Sequence, residues 1–171
     1  MPQPALTVDD LIAWNERTHA EWRKLLTAHP EVLSFSCDIA GAKTVAELLQ
    51  HIVAPERRYA QQLAGESMTD YKDIPFDSVE SVYATHDRAI ARFRQLLADS
   101  TINWDEPFEF MTRTLGPARS TRKTVLFHAL LHCIRHYAQL TTLVRQHGIT
   151  HKLPQDYLVM HFERVEPTSA S

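Results

Sequence analysis

Glycine is scarce in this chain of 171 residues, with only four, and that scarcity sets a first limit on architecture. Folds that cradle phosphate on a glycine loop, or that turn repeatedly through tight hairpins, draw on the positive φ angles glycine supplies at low cost. Neither a glycine-rich phosphate loop nor a Gly-x-Ser-x-Gly nucleophile elbow occurs. Cysteine is scarcer still: Cys37 and Cys133 lie far apart in sequence and make no disulfide framework, so two reduced thiols are expected. No apolar run approaches the ~18 residues of a membrane span, and "MPQPALTVDD" lacks a basic stretch leading into an apolar one. A cytoplasmic protein with no membrane partner is the expectation. Positive charge is not in excess either. The 18 Lys and Arg against 21 Asp and Glu give a net charge of -3 with the signs interspersed, so no basic stripe offers itself to nucleic acid.

What is present is helical periodicity. The 44% hydrophobic content suits a globular domain, and apolar residues recur at intervals of three and four over four segments, about residues 8–28, 44–64, 78–99 and 120–147. The first follows Thr7, with Asp10 placed for a capping box, carries Leu11, Ile12, Trp22, Leu25 and Leu26, and stops before Pro30. The second opens at "TVAE", where Thr44 can cap Glu47 and Glu47 can reach back, and runs to Gly65. Pro55 inside it cannot donate to the carbonyl of His51, so a kink is expected beside that histidine. The third follows "DSVE", and the fourth ends at Gly148. Between the third and fourth, "INWDEPFEFMTRTLGPARS" is broken by Pro107, Gly116 and Pro117 and is expected to be a long loop, with a short strand at "FEFMT", able to cover one end of the helices. The C-terminal "LPQDYLVMHFERVEP" is expected to be an extended tail that frays at "TSAS". One all-α domain over residues 1–171, a four-helix bundle, is the expected architecture.

Ten histidines are the compositional surplus. In "HALLHCIRHYAQL", His128, His132 and His136 follow one another at intervals of four, where chance supplies about 0.6 HxxxH pairs but only about 0.03 such triples in a chain of this composition. Residues four apart on a helix are stacked neighbours, so two imidazoles can reach one ion without bending the backbone. On a wheel of about 100° per residue, His132 and His136 point the same way as Val125 and Leu143, while His128 lies at the margin with Arg135 and Gln139. Two stacked inward histidines each carry a polar edge into a dry interior, and a shared ion satisfies both. A third ligand must come from another helix. His86 sits centrally in the apolar stripe of the third helix and is favoured by the wheel, with His51 and His19 left open. The mixed-charge runs "NERTHAEWRK" and "APERRYAQQ" are expected to be solvated helix faces with short-range ion pairs, and Cys133 a small core residue. Arg113, Arg119, Arg122 and Lys123, gathered before the last helix, are candidates for attracting an anion.

With "TVAELLQHIVAPERRYAQQLAG" in its second helix and "FHALLHCIRHYAQLTTLVRQHG" in its last, the chain resembles the DinB/YfiT-like superfamily over most of its length. The resemblance implies an up-down-down-up four-helix bundle, frequently a homodimer. It further implies a divalent metal held by one histidine of the second helix and an HxxxH pair of the fourth, here His51, His132 and His136, with Gln139 in the family's glutamine position. It thus chooses His51 over His86. Two departures stand out: Arg135 where many members have a histidine, and His128 one turn upstream, which offers His128 with His132 as an alternative pair. An all-nitrogen set points to zinc or nickel, and three ligands leave an open position of the kind a catalytic ion needs. The expected function is therefore a metal-dependent hydrolase or thiol S-transferase, akin to the superfamily's bacillithiol transferases and mycothiol-dependent isomerases, with a low-molecular-weight thiol or other small molecule as partner. The alternative is a non-catalytic metal-binding module of a stress response.

Overall fold

The computed structural model describes residues 5–150 and 155–163. Four long helices dominate it: α1 (Val8–Ala28), α2 (Val45–Leu63), α3 (Val79–Ala98) and α4 (Arg122–Gln146). Their starts follow the capping chemistry of the sequence. Thr7 and Asp10 form a reciprocal capping box on α1, while Thr44 accepts from the Glu47 amide on α2. The Glu47 carboxylate reaches back one residue further than expected, to the Lys43 amide at 2.7 Å. Ser78 caps α3 through Ser81, and Gly148, with φ of 81°, lets the chain leave α4 in the left-handed conformation. Helix α2 runs unbroken through Pro55.

Each of α1 and α2 packs on both α3 and α4. The interior is not continuously apolar. One cluster holds Trp22, Leu26, Leu48, Ile52, Tyr83, Tyr137 and Leu140, and a second holds Leu11, Ile12, Ala60, Ile90, Phe93 and Leu126. Buried polar residues fall at the level between them: Asn15, Thr18 and His19 on α1, Glu56 on α2, Thr85 and His86 on α3 and His132 on α4, with His136 one turn further into the first cluster. Along α1 and α4 the second cluster comes first in sequence; along α2 and α3 the first cluster does.

The segment between α3 and α4 is a hairpin rather than a plain loop. Strand β1 (Pro107–Thr112) pairs antiparallel with β2 (Gly116–Thr121), Phe110 opposite Ala118, and Gly116 at φ 73° closes the turn. The expected strand at "FEFMT" is there; its partner was hidden because Gly116 and Pro117 read as breakers, although both are tolerated at a strand start on an edge. Thr121 ends β2 and also caps α4 through the Thr124 amide, so the hairpin passes into the helix without a linker. Gln62 of α2 clamps the hairpin by donating to the Met111 carbonyl and accepting from the Met111 amide, at 3.2 and 2.6 Å.

The described part of the tail departs from the extended form expected. Residues Tyr157–His161 form a 3-10 turn lying on the body, where Trp14 Nε1 donates to the Gln155 carbonyl, Arg17 donates to the Val159 carbonyl and Trp14 meets Tyr157 edge to face. The fraying expected at "TSAS" lies outside the described residues. Among the described residues no helix is long and apolar enough to cross a membrane, and Cys37 and Cys133 are both free and buried.

Candidate metal centre

His132 and His136 stand one turn apart on α4, both buried, with their Nε2 atoms 3.2 Å from each other. His51, half-buried on α2, completes the group: its ring centroid is 5.0 Å from that of His132 and 4.8 Å from that of His136, and one ligand atom from each of the three lies within 4.8 Å of the others. Three imidazoles from two helices so placed could hold a metal ion.

The hydrogen bonds around His136 favour a ligand-competent tautomer. His136 Nδ1 lies 2.8 Å from Gln139 Oε1, an acceptor only, so Nδ1 carries the proton and Nε2 keeps its lone pair. The Arg135 guanidinium donates to that same Nε2 at 2.9 Å. His132 Nδ1 is buried without a hydrogen-bond partner among the described residues. The two Nε2 atoms, close enough to share one hydrogen bond, are also close enough to share one ion, and with His51 beside them the donor set fits a cation between these rings. Protons do not compete strongly. Burial, with His136 and the arginines adding to it, pushes the His51 pKa down to about 4, and burial with neighbouring histidines pushes His132 down to about 2. His136 is likewise lowered, mainly by burial. All three are therefore neutral at pH 7, the form a metal needs.

The site opens on a cavity of about 610 Å³ lined by His51 and His132 and roofed by the hairpin. Tyr59, Tyr71, Phe110 and Val125 give it apolar walls, and Arg58, Arg113 and Arg135 line it too. His128 is exposed at the rim, its ring 5.6 Å from that of His132 and edge-on to Tyr59, and its pKa is lowered by burial and by Arg135. It stands outside the three-histidine group, as the helical wheel indicated.

His86, the residue the wheel favoured, belongs elsewhere. Its Nδ1 is 2.8 Å from Glu56 Oε2, and its ring stacks on His19 at 3.6 Å with a 10° tilt. Glu56 is fully buried, also accepts from Asn15 Nδ2 at 2.9 Å, and stands 3.6 Å from His19 Nε2. Asn15 in turn donates to the Leu130 carbonyl and Cys133 Sγ. A wheel gives the face of a helix but not the height along it, and at the height of His86 the opposing group is a carboxylate. Glu56 is the residue missed by inspection of the sequence: inside "APERRYAQQ" it looked like a solvated charge, and its only signal is its place one residue after Pro55 on the inner face. The ion pairs of "NERTHAEWRK" also differ from the local pairs expected, since Glu16 pairs with Arg94 and Arg23 with Glu80 and Asp87, all on α3. Of the basic cluster before α4, only Arg113 lines the cavity. Arg122 donates to the Leu63 carbonyl and lies near Glu106, and Lys123 pairs with Asp105.

A model of the DinB family matches residues 1–167 of the chain. The chain belongs to the DinB family. Comparison with curated proteins yields no match. In this DinB-family protein the three gathered histidines are the ones the resemblance pointed to, each on the helix it named.

Proposed function

We propose that His51, His132 and His136 hold a divalent ion, zinc or nickel by the softness of an all-imidazole set, and that the protein is a metal-dependent hydrolase or thiol S-transferase working in the adjoining cavity. The observation that carries this reading is the 3.2 Å approach of the His132 and His136 Nε2 atoms, with His136 turned to its ligand tautomer by Gln139. An ion held there would supply Lewis acidity, favouring the deprotonated form of a water or a low-molecular-weight thiol near neutral pH.

The chain's own groups do the rest. Tyr59, Phe110 and the rest of the hairpin wall one side of the cavity beside the site. His128, neutral and at the rim, is placed to accept a proton from a bound molecule. The nucleophile comes from outside the chain: Cys133 is fully buried and burial raises its thiol pKa well above the ordinary value, and Cys37 is raised for the same reason. An up-down-down-up course of the four helices belongs to the same reading; the reversed order of the two apolar clusters along α2 and α3 supports it.

The test is metal analysis of protein purified without a nickel column, paired with assays of thiol conjugation and ester hydrolysis before and after chelation. About one ion per chain in the wild type, none in His132→Ala, and turnover lost with the metal are expected. A metal-free wild type sinks the proposal; a bound ion without turnover in either assay leaves only the non-catalytic module.

A further inference from the structure

Three arginines line the cavity beside the histidines, and among the described residues no aspartate or glutamate does. The ion pairs that arginines make in the described residues belong to others: Arg23, Arg92, Arg94 and Arg122. Arg58 Nε is buried without a hydrogen-bond partner, Arg113 lies over the Tyr71 ring at 3.8 Å, and Arg135 donates to the His136 ring nitrogen. A chain of net charge -3 thus gathers three arginines that make no ion pair among the described residues around one cavity, Arg58 half-buried and Arg113 and Arg135 at its exposed margin. A second cavity, between α1 and α3, is the contrast. Its two arginines, Arg23 and Arg94, are neutralised by Glu80, Asp87 and Glu16. Apolar rings make up much of the remaining wall of the histidine cavity, and its volume of about 610 Å³ is that of a small-molecule site.

We infer that this cavity receives a small organic acid, its carboxylate taken by the guanidiniums of Arg58, Arg113 and Arg135 and its apolar body by Tyr59, Phe110 and Val125. Planar guanidiniums match a carboxylate's two oxygens, and their charge persists at any working pH, so the match to an anion does not depend on protonation. Contact with Tyr71 holds the Arg113 guanidinium at the cavity wall. The inference names the substrate class of the proposed metal site and rests on that reading only for the neighbourhood of the three histidines.

Calorimetric titration of metal-free and zinc-loaded protein with naphthoate, and with the neutral naphthalenemethanol, tests it. Naphthoate is expected to bind the metal-free protein about tenfold more tightly than the alcohol. Arg113→Gln and Arg58→Gln are each expected to weaken naphthoate about fivefold while leaving the alcohol within about twofold, with thermal midpoints close to wild type to show that the variants fold. Equal affinities for acid and alcohol, absence of naphthoate binding, or variants that bind naphthoate like the wild type would overturn the inference. Acid binding that needs zinc and ignores both arginines defeats it while leaving the metal reading intact. Naphthoate binding as expected in a protein that holds no zinc defeats the metal reading alone.

Discussion

The Arg135 guanidinium occupies the lone pair of His136 that a metal would take, so this side chain and the ion are competitors. A charged hydrogen bond contributes about 1.5–3 kcal/mol, and a nearby positive charge repels a divalent cation besides. Arg135→Ala is therefore expected to tighten zinc binding by about tenfold or more, measured by competition with a chromophoric chelator at pH 7. Unchanged or weaker binding in that variant defeats the competition argument. Gln139→Ala works in the other direction: losing the acceptor on His136 Nδ1 is expected to weaken zinc about 10–100-fold in the same assay. At this scale the sequence was legible where a helix alone decides the geometry. His132 and His136 stack because residues four apart always do, and the periodicity of α4 tells which way they face. Arg135 reaching its immediate neighbour was not legible, because residues adjacent on a helix point apart and only a long side chain folded back can bridge them. Burial of Glu56 was not legible for a different reason: three other helices decide it.

At the scale of elements, each helix brings polar atoms to one level of the core, and on three of them those atoms meet at Glu56. Removing that carboxylate leaves His86, Asn15 and His19 facing an apolar void. Each buried polar group left unsatisfied costs about 1–3 kcal/mol, so Glu56→Ala is expected to lose at least that much in chemical denaturation, whereas Glu56→Gln, which keeps an acceptor for Asn15, loses less. The same cluster fixes a pH dependence. Burial lowers His19 to about 3 and His86 to about 4, well under the unfolded value of 6.5, so between about pH 6.5 and 4 the unfolded chain binds the extra protons and stability falls as the solution is acidified. Glu56, raised by burial, has the opposite sign, since the folded state keeps its proton at higher pH than the unfolded chain does. Two histidines outweigh one carboxylate, so the net effect of the cluster is a loss of stability as the pH falls from 6.5. Denaturation midpoints that stay flat from pH 6.5 to 4.5 would contradict the burial of these groups as neutral species.

For the whole molecule, the proposed ion is a strap between α2 and α4. Binding only the folded chain, zinc at a hundred times its Kd is expected to add about 2.7 kcal/mol of stability, and chelation to remove it, with the shift absent in His132→Ala. A thermal midpoint indifferent to zinc in the wild type would count against the strap. The four helices, their caps and their inward faces could be inferred from periodicity because each rests on local rules. The hairpin and the polar level could not, because strand pairing and burial depend on what the rest of the chain brings alongside. The hairpin also bears on how such a protein diversifies. It is anchored to α2 through the main chain of Met111, by a glutamine two turns beyond Pro55, while Arg113, Thr114 and Leu115 at its tip are exposed and face the cavity. Substitutions at those three positions touch the cavity without loosening that anchor or moving a histidine. Relatives can therefore drift in ligand preference through the tip alone, with the three histidines carried forward unchanged.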